Sequence, residues 1–201
     1  MRAYNNRGLI YCKKEMWSQA IVDFSEVIRV NPQDASAYQR RGMAYHQKNK
    51  YDEAISDSTV AIRLDPKMGL AYSERGYSYC YKSEFEKGIA DFKEAIRVDP
   101  KNSHAYNNLA WFRATCPVAS IRNGKEALEA AQEACALTRG KNATVIDTLA
   151  AAYAEVGNFN QAILSEKHAI KMGGVPEKRR RHMKQALLSF EQHQPYREVP
   201  D

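Results

Sequence analysis

The sequence predicts an all-α fold: a solenoid of about five antiparallel helix pairs winding as a right-handed superhelix, closed by a C-terminal capping helix. Three observations carry this. Pro32, Pro66 and Pro100 recur 34 residues apart, each after Asn or Asp (Asn31, Asp65, Asp99) at the end of a helical pattern. A residue before proline is pushed out of the helical region, so each marks a helix end. Small and aromatic residues also recur in register between these prolines.

The first three repeats span 1–34, 35–68 and 69–102. Position 4 of each is tyrosine (Tyr4, Tyr38, Tyr72), position 8 is glycine (Gly8, Gly42, Gly76) and position 11 is tyrosine again (Tyr11, Tyr45, Tyr79). Trp17, Tyr51 and Phe85 share position 17. Small residues at positions 8 and 20 let the two helices of a pair, A and B, approach closely, while the aromatics fill the wider spaces. One such pair cannot bury its apolar face alone, so the units must stack.

A fourth repeat, 103–141, keeps its A helix from about Ser103 to Thr115, then inserts about five extra residues near 116–123 before a B helix over Lys125–Leu137. Arg113 stands in that A helix where a large apolar residue belongs. A fifth repeat, 142–175, carries Leu149, Ala150, Tyr153, Phe159, Ala162 and Ala169 in register and stops at Gly173-Gly174. Pro176 opens a capping helix over 177–192, with Met183, Leu187 and Phe190 along one face, and residues 193–201 read as a flexible tail. The repeats and cap thus form a single domain over 1–192. Met1 falls inside the first helix with no capping residue before it, as in a segment cut from a longer protein.

This pattern resembles the tetratricopeptide-repeat (TPR) family, whose signature has the same 34-residue period. Residues 107–170, with their LAWFRATCP and IDTLAAAYAEVGNFNQAI stretches, are similar to C-terminal TPR segments of bacterial proteins of unknown role. The resemblance implies that the A helices line a concave groove that holds another protein or a peptide. On that face position 9 reads Leu9, Met43, Tyr77 and Trp111, an apolar row, with Asn5, Gln39 and Asn107 at position 5 and Arg40 and Asn108 at position 6. Apolar anchors bordered by amides suit an extended segment, whose backbone groups the amides satisfy. Arg2, Lys13 and Arg40 give the N-terminal half of the face positive charge, and Glu74, Asp147 and Glu155 give the other half negative charge. The carboxylate clamp of heat-shock co-chaperones is missing: its positions read Asn5, Leu9, Arg40, Leu70 and Glu74, or Gln39, Met43, Glu74, His104 and Asn108 one repeat on.

No catalytic constellation is visible. Cys12, His46 and Cys80 share position 12 and form a ladder on the concave face, but helices about 10 Å apart put the two sulfurs about 20 Å apart, too far for one metal ion. Glu53, Asp57 and Glu94 read as solubilising charge on outer surfaces. No cofactor, metal or small-molecule substrate is expected, and the chain reads as a binding scaffold rather than an enzyme. The net charge of +6 is concentrated in Lys178-Arg179-Arg180-Arg181. That run is the alternative site, for nucleic acid or an anionic membrane surface. No stacking aromatics interleave with it, which argues against nucleic acid. No stretch reaches the roughly 18 apolar residues of a membrane span, and no secretory leader is evident, so the cytoplasm is the expected compartment.

Overall fold

A computed structural model describes residues 2–197. The last four residues of the tail, 198–201, lie outside the described residues. The chain divides between Pro100 and Lys101 into two compact units. In the first, three pairs follow one another: α1 (Arg2–Lys13) with α2 (Trp17–Val30), α3 (Ala35–Gln47) with α4 (Tyr51–Leu64), and α5 (Gly69–Tyr81) with α6 (Phe85–Val98). The second holds α7 (Ser103–Thr115) with α8 (Gly124–Leu137), α9 (Ala143–Glu155) with α10 (Phe159–Met172), and α11 (Glu177–Glu191). No strand occurs among the described residues.

Helix ends sit where local chemistry puts them. Asp34 accepts a hydrogen bond from the Ala37 amide at 3.0 Å, and Asn102 from the Ala105 amide at 3.1 Å, each satisfying a free donor of the first turn. The A-to-B turn repeats too. Glu15, Asn49, Ser83 and Gly157 occupy equivalent positions with φ of 57°, 58°, 62° and 79°. Only the last is a glycine, the residue that takes this left-handed conformation without steric cost.

Within a pair the helices meet at the small residues. A methyl group on Gly76 would lie 2.8 Å from the Gly88 carbonyl oxygen and 2.9 Å from the Phe92 ring. On Gly8 it would lie 2.8 Å from Phe24, whereas on Gly42 its nearest neighbour is the Ser58 hydroxyl at 3.2 Å. Ala20, Ala54, Ala110, Ala127, Ala150 and Ala162, at positions 8 and 20 of the repeats, are likewise buried.

A second device recurs in the first unit. Arg7, Arg41 and Arg75 each bond both carboxylate oxygens of the aspartate 16 residues on, Asp23, Asp57 and Asp91, at 2.7–2.8 Å. The guanidinium groups lie over Tyr4, Tyr38 and Tyr72, at 5.4, 5.6 and 5.7 Å from the ring centroids. The planar fork matches the carboxylate, and the ring face attracts the cation. Asp57 is therefore not a solubilising surface charge, as its sequence context suggests: it is 6% exposed and ties α3 to α4. Glu53 does lie on the exposed surface.

In the second unit Arg113 replaces an aromatic because it has a different task. Its guanidinium donates to the Ile121 carbonyl at 2.6 Å and pairs with Glu126 at 2.6 Å, anchoring the inserted 3-10 turn (Ala119–Ile121) and the first turn of α8. The position-8 contacts give a graded stability test. Gly76→Ala forces a methyl group against backbone and should cost about 1–3 kcal/mol. Gly42→Ala has slightly more room, and alanine's helix propensity offsets about 1 kcal/mol. In urea titrations Gly76→Ala should unfold well before Gly42→Ala, which should stay close to the parent.

A candidate partner-binding face

The A helices of the first unit, α1, α3 and α5, bring together six of the residues singled out in the sequence. Asn5, Leu9, Gln39, Arg40, Met43 and Tyr77 are all half-buried. Arg40 reaches to the preceding A helix and donates to the Asn5 carboxamide at 2.7 Å. Leu9 packs partly against the Ala20–Phe24–Ala44 cluster, so it serves the core as well as the face. Glu74 is half-buried on α5, and desolvation raises its carboxyl from 4.5 to about 7. Arg2 and Lys13 are exposed.

His46 and Cys80 do not form an open ladder: both are buried. The His46 ring lies 4.7 Å from Tyr77 and 5.2 Å from both Tyr51 and Tyr81, and its Nδ1 is 2.9 Å from the Ser78 hydroxyl. Burial lowers its pKa to about 4, so it stays neutral at physiological pH. Tyr77 is thereby fixed from beneath, and its hydroxyl lies 3.2 Å from that of Tyr81. A rigid aromatic on a half-buried face is the kind of group that anchors a partner.

The second unit arranges the corresponding positions differently. Asn107 and Asn108 are half-buried, and the buried Asn107 carboxamide oxygen has no hydrogen-bond partner among the described residues. Trp111, expected as an open anchor, is only 7% exposed. The Arg179 guanidinium of α11 lies 4.5 Å above its ring, and Tyr196 stands 6.2 Å away. Arg179 also pairs with Asp147. Glu155 pairs with Arg122 at 3.3 Å and with Arg197 at 2.7 Å. Asp147 and Glu155, two of the three carboxylates expected at the acidic end, are thus paired internally, because the chain after α10 turns back at Gly173-Gly174 and carries Arg179 and Arg197 to them. The basic run is split for the same reason: Arg179 is engaged and Arg180 is half-buried, while Lys178 and Arg181 are exposed.

Behind Arg179, Glu166 of α10 is fully buried and faces Asp147. Burial, then the neighbouring carboxylate, pushes Glu166 up to about 10, and burial raises Asp147 against the pull of Arg179. Folded Glu166 keeps a proton that the unfolded chain releases above about 4.5, the ordinary carboxyl value. Its contribution to stability is therefore full below pH 4.5 and is lost progressively as pH rises towards 10. Glu166→Gln, neutral at every pH, should match the parent near pH 4.5 and melt at increasingly higher temperature than it at pH 7 and 9, a difference that paired thermal melts measure.

Residues 2–34 and 35–68 each match a tetratricopeptide repeat family model. No curated protein matches the sequence. Among solved structures, a thermophilic TPR protein of Thermus thermophilus, TTC0263, superposes with a TM-score of 0.77 at 17% identity, covering 93% of this chain and 98% of that one. The anaphase-promoting-complex hetero-tetramer Cut9–Hcn1 matches with a TM-score of 0.81 at 18% identity over 94% of this chain, but only 36% of that chain. The second TPR domain of human RPAP3, solved with the HSP70 peptide SGPTIEEVD, matches 53% of this chain and 89% of its own with a TM-score of 0.51 and 28% identity. Residues 2–68 are thus two tetratricopeptide repeats, and the further helix pairs in the same register share the fold of TPR solenoids.

Proposed function

We propose that the chain is a protein-interaction scaffold that holds an extended or helical segment of another protein on the A-helix face of its first unit. The observation that carries this reading is the half-buried row Leu9, Met43 and Tyr77 bordered by Asn5, Gln39 and Arg40. Partly exposed apolar side chains supply anchors, and carboxamides supply donors and acceptors for a bound backbone. The peptide-bound RPAP3 domain is a relative that holds a peptide. Its peptide ends in acidic residues, whereas the clamp positions here include Leu9 and Glu74, so a chaperone tail is not the ligand proposed. Arg2, Lys13 and Arg40 favour acidic residues in the partner towards α1. Asn107 and Asn108 extend the row of amides in sequence, but Trp111 is taken by the chain itself, and the proposal rests on the first unit.

Calorimetry with the purified native partner tests it. Met43→Ala and Gln39→Ala should keep the fold, and Met43→Ala should weaken binding at least about tenfold, as loss of an enclosed anchor does. Arg40→Glu should mainly slow association, by an amount that shrinks in high salt. Unchanged affinity in these variants, with loss on neutralising Lys178 and Arg181, would transfer the function to the basic helix.

A further inference from the structure

Residues 193–197 leave the end of α11 and lie back across the second unit as an extended arm. His193 stacks on Phe159 with ring centroids 5.2 Å apart, and Tyr196 stands beside Trp111. Arg197 pairs with Glu155 and donates to the Ala114 carbonyl at 3.2 Å, one of the last carbonyls of α7. Such carbonyls lack an intrahelical partner and sit at the negative end of the helix dipole, so a cation is favoured there. Indole, carboxylate and helix-end carbonyl together make a receptor for an aromatic side chain followed by a guanidinium.

The arm differs from the rest of the C-terminal packing in one respect: it can leave without stranding a charge. Arg179 cannot, because its departure would leave Asp147, 2% exposed, without its cation. When Arg197 leaves, Glu155 keeps Arg122 and Trp111 keeps Arg179 above its ring. α11 itself stays anchored by the buried Met183, Ala186 and Phe190.

We propose that the face formed by Trp111, Ala114 and Glu155 is a binding site for an extended segment of a partner protein bearing an aromatic residue followed by arginine, and that the chain fills it with its own Tyr196-Arg197. The site belongs to the second unit. The tethered arm competes as an intramolecular ligand at an effective concentration of about millimolar. A partner segment enters only when its concentration divided by its Kd exceeds the same ratio for the arm, which makes the site selective for ligands with further contacts.

The test uses the full chain carrying Trp17→Phe, a change to the residue that Phe85 and Phe159 already place at the equivalent position, so that Trp111 is the one remaining indole. The probe is the blocked pentapeptide His-Gln-Pro-Tyr-Arg, followed by Trp111 fluorescence and amide chemical shifts. Tyr196→Ala/Arg197→Ala should bind the probe at least about tenfold more tightly than the Trp17→Phe parent, whose arm competes. A probe with alanine in place of arginine should bind more weakly, since it cannot reach Glu155 or the Ala114 carbonyl. Adding Glu155→Gln should abolish the gain. If the double variant does not fold, Arg197→Ala alone should show the same order of affinities. Equal binding by parent and arm variant, no saturable binding to a folded arm variant, or equal binding of the alanine probe would each overturn the proposal.

Discussion

Everything in this molecule depends on the distance of closest approach between the two helices of a pair. Where Gly76 faces Gly88, the packing leaves no room for a methyl group, and the opposing surface is backbone rather than a side chain that could turn away. That contact sets the angle and depth at which helix A seats on helix B. It therefore decides which residues of A face outward. Met43 follows directly on Gly42, and Tyr77 on Gly76, so the proposed partner-binding row is the next strip of helix surface beside the contact strip. A register shift of one residue would bury the row and expose the glycines.

The arginine–aspartate forks reinforce this geometry in the first unit. Each spans from A to B, and each arginine is sandwiched against a tyrosine of its own helix. A buried ion pair by itself is weak evidence of stability, because desolvation offsets much of the attraction. Its geometric demands are stricter than those of apolar contact, however, and the fork fixes the rotation of one helix about the other. The second unit has Leu109 and Leu149 in place of the fork arginine and relies on Arg113, Arg122 and Arg179 in other positions. The two units have the same pair architecture and different electrostatics.

Much of the fold was legible because it is encoded locally. Proline spacing and the recurrence of glycine and tyrosine locate the helix pairs without reference to distant residues. The forks had a signal that periodicity alone does not weigh: arginine at position 7 and aspartate at position 23 recur in all three early repeats. Asp57, taken singly, looks like surface charge, and only its partner 16 residues back explains its burial. His46 misleads for a related reason, because its neutral buried state depends on Tyr51 from the next helix and Tyr77 and Tyr81 from the following repeat. Trp111 was the furthest from local information. Its cover comes from residues 179 and 196, reached only after the chain reverses at Gly173-Gly174, and no spacing rule within the repeat reports where that reversal leads.

The two units thus offer A-helix faces in different states, one with its apolar row part-exposed and the other holding the chain's own arginines. The open row of the first is the proposed principal partner-binding face, while the second is closed as long as the arm fills it. Photo-crosslinking in the native host tests this most directly, with a photoreactive residue placed in turn at 39 and 43 on the A-helix face, at 56 and 90 on exposed parts of the B helices, and at 181 on the basic helix. A discrete adduct is expected from 39 and 43 and none from the other positions. Adducts from 56, 90 or 181, with none from 39 and 43, would contradict it.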